Sequence, residues 1–361
     1  MAFLKIFLIS TVSFVILEGL VFHTGFYAGF LEPNSSTGIF ENTLRDEQIR
    51  HPLGPDEILV TGDSRIAEGF SAKVANAVRI DHPYYFANVA IPAATPRCQY
   101  YLLRDLDPSR KRYRAIILSV DGYEDIDEAE DLADRLLDLH YCAVRLRYSD
   151  TIEFASSFTT PHRRMEAFRG SLFKGLVFQT DMLALFEHRR KRLSDVAIRR
   201  EQGWNWGNDY TGHEEDLAGI QVNWDEKTIR FPDAIPASKR DSIRDRLFGP
   251  IAPQSGRLGQ YRRLWFGRIL DLYSNSGTQI VFLALPRGPF VPPVSRIQSP
   301  SHTIRDLGQT RRVILLPENL FASLEDGGFY FDSLHLNARG RVEFSTMLAH
   351  ALRSALGPSR N

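Results

Sequence analysis

The fold of this chain is restricted most strongly by a short apolar run that ends in Gly-Asp-Ser. Residues 57–65 read Glu-Ile-Leu-Val-Thr-Gly-Asp-Ser-Arg, so an apolar strand, Ile58–Thr61, leads directly into a turn that carries Ser64. A tight strand-to-helix turn of this kind exposes a serine hydroxyl at the carboxyl end of a sheet. Open α/β folds bind their ligands at that edge. The sequence therefore predicts an α/β fold with Ser64 at a ligand-binding edge.

The segments that follow alternate between apolar strands and amphipathic helices, as in a doubly wound sheet. Ala115–Val120 has no polar residue before Ser119, which is typical of a strand covered on both faces. We expect a three-layer α/β/α fold with a mostly parallel sheet. The other predicted strands are Tyr84–Val89 and Gln279–Leu285, and the predicted helices are Ile66–Val78, a segment through Leu106, Leu264–Tyr273 and Ala338–Leu356.

A second motif, near the carboxyl end, supplies the partners that a nucleophilic serine needs. Residues 331–337 read Phe-Asp-Ser-Leu-His-Leu-Asn. His335 can take the proton of Ser64, and Asp332 can hold the imidazole in the required tautomer and stabilise its charged form. Either motif alone is weak, because Gly-Asp-Ser occurs in many loops and an Asp before a His is often a helix cap. In this order and placement they predict a Ser-His-Asp triad.

The two motifs together resemble the SGNH (GDSL-type) esterase and acyltransferase superfamily over about residues 55–125 and 256–356. The resemblance implies a flavodoxin-like SGNH fold and an oxyanion hole that includes the main-chain N–H of Ser64. The second sequence block of the superfamily corresponds to residues 88–95, where Ala93 stands in place of the usual glycine. Because the donor is a main-chain amide, alanine can serve if the backbone needs no positive φ.

The third block departs further from the superfamily pattern, because Asp121 stands at or next to the position of an asparagine that donates to the oxyanion. An ionised carboxylate cannot donate, and losing one such donor typically costs ~3–4 kcal/mol of transition-state stabilisation. Three explanations stay open. Asp121 is held protonated; it points away while the Gly122 N–H or Asn88 donates; or the enzyme reacts slowly with water, as a transferase should.

The amino terminus predicts a membrane anchor. Residues 6–31 are apolar and long enough to span a bilayer. Glu18 and His23 are costly in lipid unless they lie near an interface or face a partner helix. A cleaved signal peptide is the rival interpretation, but no Ala-x-Ala-like site follows promptly. We favour an uncleaved single-pass anchor in a bacterial inner membrane, with Lys5 cytoplasmic and the remainder periplasmic.

The rest of the chain is divided by composition. The polar, turn-rich segment after the anchor reads as a stalk, and the segment with no strand-helix alternation reads as a helical or irregular insertion that forms a lid or a substrate platform. The predicted organisation is an anchor at 1–31, a stalk at 32–55, the first half of the SGNH domain at 56–125, the insertion at 126–255 and the second half at 256–361.

Candidate substrate-binding residues lie in the insertion and at the sheet edge. Trp204, Trp206 and Tyr210 could stack on sugar rings, or could simply pack the insertion. Arg65 and Arg287, near the predicted carboxyl edge of the sheet, could bind an anionic substrate. A surface salt bridge is the simpler alternative for both arginines.

Composition argues against several classes of partner. Lys+Arg and Asp+Glu are 44 each, so no net field favours nucleic acid. The basic run 188–192 has no interleaved aromatic residues, which favours a solvated helix face. We expect no metal and no cofactor, since the histidines form no ligand cluster. Cys98 and Cys142 could pair in an oxidising space, but two buried thiols is the simpler account.

Outward-facing SGNH proteins with one anchor resemble, more loosely, the accessory acyltransferases of alginate O-acetylation and teichoic-acid D-alanylation. That resemblance implies acyl transfer to a polysaccharide or cell-envelope glycan, beside a multi-pass membrane-bound O-acyltransferase. The anchor, with Glu18 and His23, would suit docking to this partner. A periplasmic carbohydrate or lipid esterase is the first alternative. The second is a catalytically idle glycan-binding or assembly subunit, for which Asp121 is the best support.

Overall fold

The structure, a computed structural model, describes residues 2–50, 52, 56–78, 84–127, 131–202, 210–250, 253–293 and 297–357. The chain divides into two compact units. The first comprises Met1–Arg50, Tyr101–Leu106 and Ala133–Trp204, and the second comprises His51–Tyr100, Asp107–Leu132 and Asn205–Asn361. We call them the helical unit and the sheet unit.

The bounds of the regular elements follow in chain order. The strands of the described residues are β1 Glu57–Thr61, β2 Tyr85–Asn88, β3 Ala115–Val120, β4 Gln221–Asn223, β5 Thr228–Arg230, β6 Gln279–Ala284 and β7 Val313–Leu315. The α-helices are α1 Ala2–Glu18, α2 Ser36–Ile49, α3 Ser64–Gly69, α4 Ala72–Ala77, α5 Pro96–Leu106, α6 Leu137–Cys142, α7 Thr151–Ser156, α8 Pro161–Leu172, α9 Lys174–Val177, α10 Gln179–Glu187, α11 Arg189–Gln202, α12 Ala237–Phe248, α13 Arg257–Tyr273, α14 Thr303–Thr310 and α15 Ala338–Leu356.

The sheet unit is built on a parallel sheet with the strand order β2-β1-β3-β6-β7 among the described residues. Leu59 of β1 lies opposite Ala87 of β2 and Ile116 of β3, and every residue of β1 and β3 is buried. Runs of β-branched and leucine side chains with no polar break are what a strand covered on both faces requires. The predicted α/β class, its parallel sheet and its apolar amino-terminal helix are confirmed at this level.

Alternate residues of the strands pack against helices on opposite faces of the sheet. On one face, Val60 and Val281 share a buried cluster with Leu348 of α15. On the other face, Phe282 of β6 meets Phe266 of α13 edge to face, with ring centroids 5.0 Å apart. Burial on both faces explains why the strands contain few polar residues between their ends.

The predicted helix Ile66–Val78 is wrong in its continuity, because two short helices, α3 and α4, replace it. Phe70 adopts an extended conformation, φ −111° and ψ 125°, between them. Ser71 then caps α4 by accepting the N–H of Val74 at 3.2 Å, while its own N–H donates to Ser345 Oγ of α15. The cap and this tertiary hydrogen bond favour a break where the apolar pattern alone predicts a continuous helix.

The predicted stalk is also wrong, because residues 36–49 form the helix α2 in the helical unit. Ser35 caps the helix by accepting the N–H of Gly38 at 3.0 Å. Phe40 and Leu44 lie one turn apart on one face and are fully buried. A cap and an i, i+4 apolar pair are sufficient for a packed helix, although the flanking turn residues suggest a linker.

The predicted insertion, 126–255, is divided between the two units rather than forming a body of its own. Its first part consists of helices of the helical unit. In its second part, Leu217, Ile235 and Ile243 belong to the hydrophobic core of the sheet unit. This division has no sequence signal, since neither part carries the alternation of strand and helix. Cys98 and Cys142 are each a buried thiol.

The amino-terminal helix is long and apolar enough to cross a membrane over Phe3–His23. A five-residue π-helical turn, Gly19–His23, continues α1 at its carboxyl end. Glu18 accepts the N–H of Gly175 at 3.1 Å, and His23 stacks on Tyr148 with ring centroids 3.8 Å apart. Both side chains are buried against this chain's own helical unit. A role of Glu18 and His23 in docking a membrane partner stays a prediction.

Candidate functional site

The turn after β1 is built so that Ser64 begins α3. A Cβ on Gly62 would lie 2.1 Å from Ser119 Oγ and 2.7 Å from the side chain of Ile66, so only glycine fits there. Asp63 has an extended backbone and caps α3 by accepting the N–H of Arg65 at 3.0 Å. The Gly-Asp-Ser run therefore combines close packing, a helix cap and a serine at the carboxyl end of a central strand.

The structure brings Ser64, His335 and Asp332 together in a hydrogen-bonded chain. Ser64 Oγ lies 2.8 Å from His335 Nε2, and His335 Nδ1 lies 2.9 Å from Asp332 Oδ2. The other carboxylate oxygen of Asp332 accepts the main-chain N–H groups of Leu334 and His335, at 2.8 and 2.6 Å. These bonds fix the carboxylate, assign the imidazole proton to Nδ1 and leave Nε2 to accept the serine proton.

The pKa shifts within the chain follow from its hydrogen bonds. Burial alone would raise the pKa of Asp332, but the hydrogen bonds from His335 lower the pKa below its ordinary value. Burial alone would lower the pKa of His335, but the hydrogen bond and charge of Asp332 raise it above its ordinary value. The pair is therefore an ionised carboxylate beside an imidazole of enhanced basicity, which suits a general base.

The loop after β2 lies along the end of β1, beside the turn that carries Ser64. Val89 N–H donates to Val60 O at 2.9 Å, and Ile91 N–H donates to Gly62 O at 3.1 Å. Ala93 follows with φ +63°. The backbone therefore does need a positive φ here, contrary to the condition under which alanine was expected to replace glycine. The loop demands the left-handed conformation that glycine adopts freely, and alanine occupies it under strain.

Two main-chain amides in this region are available to bind an anion. Among the described residues, no acceptor receives the N–H of Ala93 or that of Gly122. Ser64 adds the N–H of the first residue of α3, one of the donors that a helix leaves unsatisfied. Ala93 follows β2, Ser64 follows β1 and Gly122 follows β3, so all three lie after the carboxyl ends of neighbouring strands.

Asp121 is engaged by arginine instead of being protonated. Arg65 donates from Nη2 to Asp121 and, at 2.8 Å, to Asp63. Desolvation would raise the pKa of Asp121, but the charges of Arg65 and Arg262 lower the pKa below its ordinary value. Its side chain is 56% exposed. The lowered pKa and the contact with Arg65 favour an ionised Asp121, and Arg65 forms salt bridges with both Asp63 and Asp121.

A buried arginine that sequence reasoning missed supports the segment after β3. Arg262 of α13 donates to the carbonyls of Gly122 and Glu124, at 3.3 and 2.8 Å, and to the carboxylate of Asp125 at 3.2 Å. Asp125 also accepts from the hydroxyl of Thr303 at 2.6 Å. This network holds the main chain that presents Gly122. No sequence signal distinguishes Arg262 from the exposed arginines on the same helix.

Asn88, a candidate for the oxyanion donor or for substrate binding, and Arg287, a candidate for substrate binding, both have partners within the chain. The Asn88 amide donates to the carbonyls of Ile66 and Phe70, at 3.1 and 2.9 Å, so both of its N–H groups are used. It therefore does not replace the missing oxyanion donor. Arg287 makes a two-point salt bridge with Glu325, at 2.9 and 2.6 Å.

An aromatic and acidic group borders the triad, and sequence reasoning missed most of it. Glu68 lies one turn after Ser64 on α3, and the Tyr210 hydroxyl is 3.5 Å from its carboxylate. The pKa of Glu68 is raised, chiefly by burial, although the charge of His335 opposes the shift. Phe331 stacks between the rings of His213 and His335, at 3.8 and 5.8 Å. The i, i+4 spacing from Ser64 is the signal that could have identified Glu68.

Of the three aromatic residues predicted to bind substrate, only Tyr210 lies among the described residues. Trp204 and Trp206 lie outside the described residues, whereas Tyr210 is half-buried beside Glu68. Within the described ranges, no three His, Cys, Asp or Glu side chains group as a metal site requires. No protein-family model matches the chain, and a search of curated proteins gives no match either. The chemistry must therefore be inferred from the site.

Proposed function

We propose that this chain is an SGNH-type serine O-acyltransferase that acts on a bacterial polysaccharide or another cell-envelope glycan. The observation that carries the proposal is the chain of hydrogen bonds from Ser64 Oγ to His335 Nε2, 2.8 Å, and from His335 Nδ1 to Asp332, 2.9 Å. Two motifs that are 271 positions apart meet in the geometry of a nucleophile, a base and its orienting carboxylate.

The first half-reaction transfers an acyl group, most simply acetyl, to Ser64. His335 Nε2 takes the hydroxyl proton as Ser64 Oγ attacks the carbonyl carbon of the donor ester. The tetrahedral intermediate collapses when the donor's leaving oxygen or sulfur departs with that proton, delivered by His335. Asp332 stays ionised throughout and stabilises the imidazolium, consistent with its lowered pKa.

The oxyanion of each tetrahedral intermediate would be stabilised by the main-chain N–H groups of Ser64, Ala93 and Gly122. Main-chain donors can take the place of the missing asparagine, although Asp121 opposes the developing negative charge. Repulsion by Asp121 would slow the attack of water, so that an acyl-serine persists until a glycan hydroxyl arrives.

The second half-reaction passes the acyl group to the acceptor. His335 removes the proton of a glycan hydroxyl, whose oxygen attacks the acyl carbonyl, and Ser64 departs as a hydroxyl after receiving that proton. Tyr210, Glu68 and His213 border the triad and offer hydrogen-bonding groups and an aromatic face to a sugar. The acyl donor would come from a multi-pass membrane-bound O-acyltransferase in the same inner membrane, with the sheet unit in the periplasm.

Hydrolysis is the second candidate, and one observation favours it. The side chains of Asp332 and His335 are only partly buried, so water can reach the triad. An esterase would use the same acylation step and would then deprotonate water in place of a sugar hydroxyl. The lifetime of the acyl-serine in water separates the two functions.

The proposal is tested by acyl-enzyme mass measurement on the full chain in detergent. After incubation with an activated acetyl ester, we expect a mass gain of one acetyl group that maps to Ser64. Ser64→Ala and His335→Ala should each abolish this gain while the protein stays folded, because both side chains are partly exposed. Ser323→Ala, at an exposed serine outside the triad, is the matched control and should acylate normally.

The outcome in water and with added oligosaccharide then assigns the reaction. An adduct that persists in buffer and disappears on addition of a glycan supports the transferase, and rapid loss in buffer alone supports the esterase. Acylation that survives in either triad variant would refute the Ser-His-Asp mechanism. No adduct and no turnover in the unmodified chain would favour an idle binding subunit.

A further inference from the structure

The helical unit exposes large apolar side chains on two consecutive helices, α9 and α10. Leu176 is 50% exposed, Leu183 56% and Phe186 77%. The basic run 188–192 follows immediately, and all of its residues except Arg192 are exposed. Exposed apolar residues next to a basic cluster are typical of a segment that lies in a membrane interface.

The position of this segment is fixed by contacts with the membrane-spanning helix. Phe14 packs on Phe173 with ring centroids 5.8 Å apart, and Glu18 accepts the N–H of Gly175 at 3.1 Å. Phe22 stacks on Phe178 at 5.6 Å. The three contacting residues of the span are four positions apart, so residues 173–178 run along one face of it.

These contacts set the depth of the segment relative to the span. Phe3–His23 is 21 residues long, about 31 Å at 1.5 Å per residue, which matches the hydrocarbon thickness of a bilayer. Phe14 lies nine positions before His23, about 13 Å inside the end of the span. Residues that pack beside Phe14 and Glu18 therefore cannot face bulk water when α1 crosses the membrane.

The charges fit the same placement. Residues 187–191 read Glu-His-Arg-Arg-Lys and are all exposed, with a net positive charge. Lys191 pairs with Asp195 at 2.7 Å, but Arg189 and Arg190 have no ion pair among the described residues. Arginines at the end of an interfacial helix reach the phosphate and anionic headgroups of the leaflet that contains the apolar face.

We propose that α9 and α10 form a second membrane contact, in which Leu176, Leu183 and Phe186 enter the outer leaflet while Arg189 and Arg190 bind anionic lipid headgroups. The occupant of the apolar face is lipid because Phe173 and Phe178 pack along the span, whose own apolar side chains are largely exposed. The inference requires α1 to span the membrane with its carboxyl end outward, but it is independent of the reaction at Ser64.

The test uses the full chain, reconstituted in vesicles of phosphatidylcholine with and without phosphatidylglycerol. Nitroxide labels at Leu183→Cys and Phe186→Cys report accessibility to oxygen, which partitions into lipid, and to a water-soluble nickel complex. The native cysteines are buried and should stay unlabelled. Val342→Cys, at a 46% exposed apolar position on α15, is the aqueous control, and Val12→Cys is the control within the span.

We expect the labels at 183 and 186 to resemble Val12→Cys, with high oxygen and low nickel accessibility, and Val342→Cys to show the reverse. Arg189→Gln combined with Arg190→Gln should shift both labels toward water in vesicles that contain phosphatidylglycerol but not in phosphatidylcholine alone. Lys73→Gln, an exposed lysine of the sheet unit, should leave them unchanged.

Three outcomes would overturn the inference. High nickel accessibility at 183 and 186 would mean that the helices lie in water. Protection from both reagents would mean that a second copy of the chain covers the face. Nickel accessibility at Val12→Cys would mean that α1 does not span the bilayer, which removes the premise while leaving acyl transfer at Ser64 unaffected.

Discussion

Ala93 holds a left-handed backbone conformation that favours glycine, in a loop that contributes one main-chain donor to the proposed oxyanion hole. The conformation is imposed by its neighbours, because Ile91 N–H is bonded to Gly62 and Ala94 N–H to Ile91. For a residue with a Cβ, this region of φ and ψ is less favourable by about 1–2 kcal/mol. Strain of this size, next to a nucleophile, is typical of a positioned functional loop.

Ala93→Gly should therefore raise the free energy of unfolding by about 0.5–1 kcal/mol, because relief of strain exceeds the extra entropy of glycine in the unfolded chain. Chemical denaturation of the full chain in detergent measures it. Ala94→Gly is the matched control, since its φ is not positive, and should lower the free energy of unfolding by about 0.5–1 kcal/mol. Destabilisation by both variants would contradict the strain assignment.

The raised pKa of His335 predicts the pH dependence of acylation. Only neutral imidazole accepts the serine proton, so the rate should rise with pH through an apparent pKa above the ordinary value of 6.5. Asp332→Asn removes the largest interaction that raises this pKa while burial remains, so the apparent pKa should fall and the rate should decrease by a factor on the order of 10⁴. A pH–rate profile of ester hydrolysis checks both, and an unchanged apparent pKa would contradict the role of Asp332.

Asp121→Asn tests whether the carboxylate held by Arg65 opposes the oxyanion. The variant removes a negative charge and adds an amide donor, so ester hydrolysis should increase about tenfold or more, toward the ~10²–10³ that one oxyanion donor supplies. Asp241→Asn, which breaks an exposed ion pair with Arg244 on α12, should change nothing. A clear decrease in Asp121→Asn would instead give Asp121 a positive role, such as orienting the acceptor hydroxyl.

The short helix α3 carries two functional groups on one face, because Ser64 and Glu68 are one turn apart. Glu68 contributes negative charge that raises the pKa of His335, after the larger contributions of Asp332. The helix thus carries both the proposed nucleophile, Ser64, and a charge that acts on the pKa of the proposed base, His335. A rotation of α3 would move both groups together.

Glu68→Gln keeps the shape of the side chain and removes its charge. The apparent pKa of the pH–rate profile should shift downward, with the maximal rate at high pH little changed, because His335 loses a stabilising negative charge. Glu226→Gln, at an exposed position between β4 and β5, should leave the profile unchanged. Loss of the maximal rate without a shift would mean that Glu68 acts in another way.

The regular elements were predictable where burial determines the residue pattern. The buried strands β1, β3 and β6 are apolar through their central residues, and α15 was predicted with its observed bounds. The half-buried β7 and the exposed hairpin β4–β5 were missed, because neither has an apolar pattern that distinguishes it from loop. Ser64, His335 and Asp332 were recognisable from local motifs, whereas Arg262 and Phe331 acquire their roles only through contacts distant in sequence.

Considered in full, the chain combines a sheet unit that contains the triad with a helical unit that contains the apolar anchor. Gly175 is essential to the helical unit, because a Cβ there would lie 2.8 Å from Glu18 Oε2 and 3.1 Å from the ring of Phe22. The close approach lets the main-chain N–H of Gly175 donate to the buried carboxylate of Glu18.

Gly175→Ala should therefore destabilise the helical unit by about 1–3 kcal/mol, because the extra methyl group displaces Glu18 or Phe22. Limited proteolysis of the full chain should show earlier cleavage within α8–α11, with acylation of Ser64 retained. Gly267→Ala on α13, where no atom lies within 4 Å of the added Cβ, is the matched control and should be neutral or stabilising. Equal cleavage in both variants would contradict the assigned contact.

The 271 positions between Ser64 and His335 also separate the two residues in time. At ~5–20 residues per second, a ribosome completes the serine roughly 14–54 s before the histidine. Throughout that interval the nascent chain carries an ordinary, unreactive hydroxyl, and no partial product can be acylated by this mechanism. In the proposed mechanism, only a chain synthesised through His335 and folded so that this residue meets Ser64 can react. A chain terminated before His335 would therefore lack the proposed base.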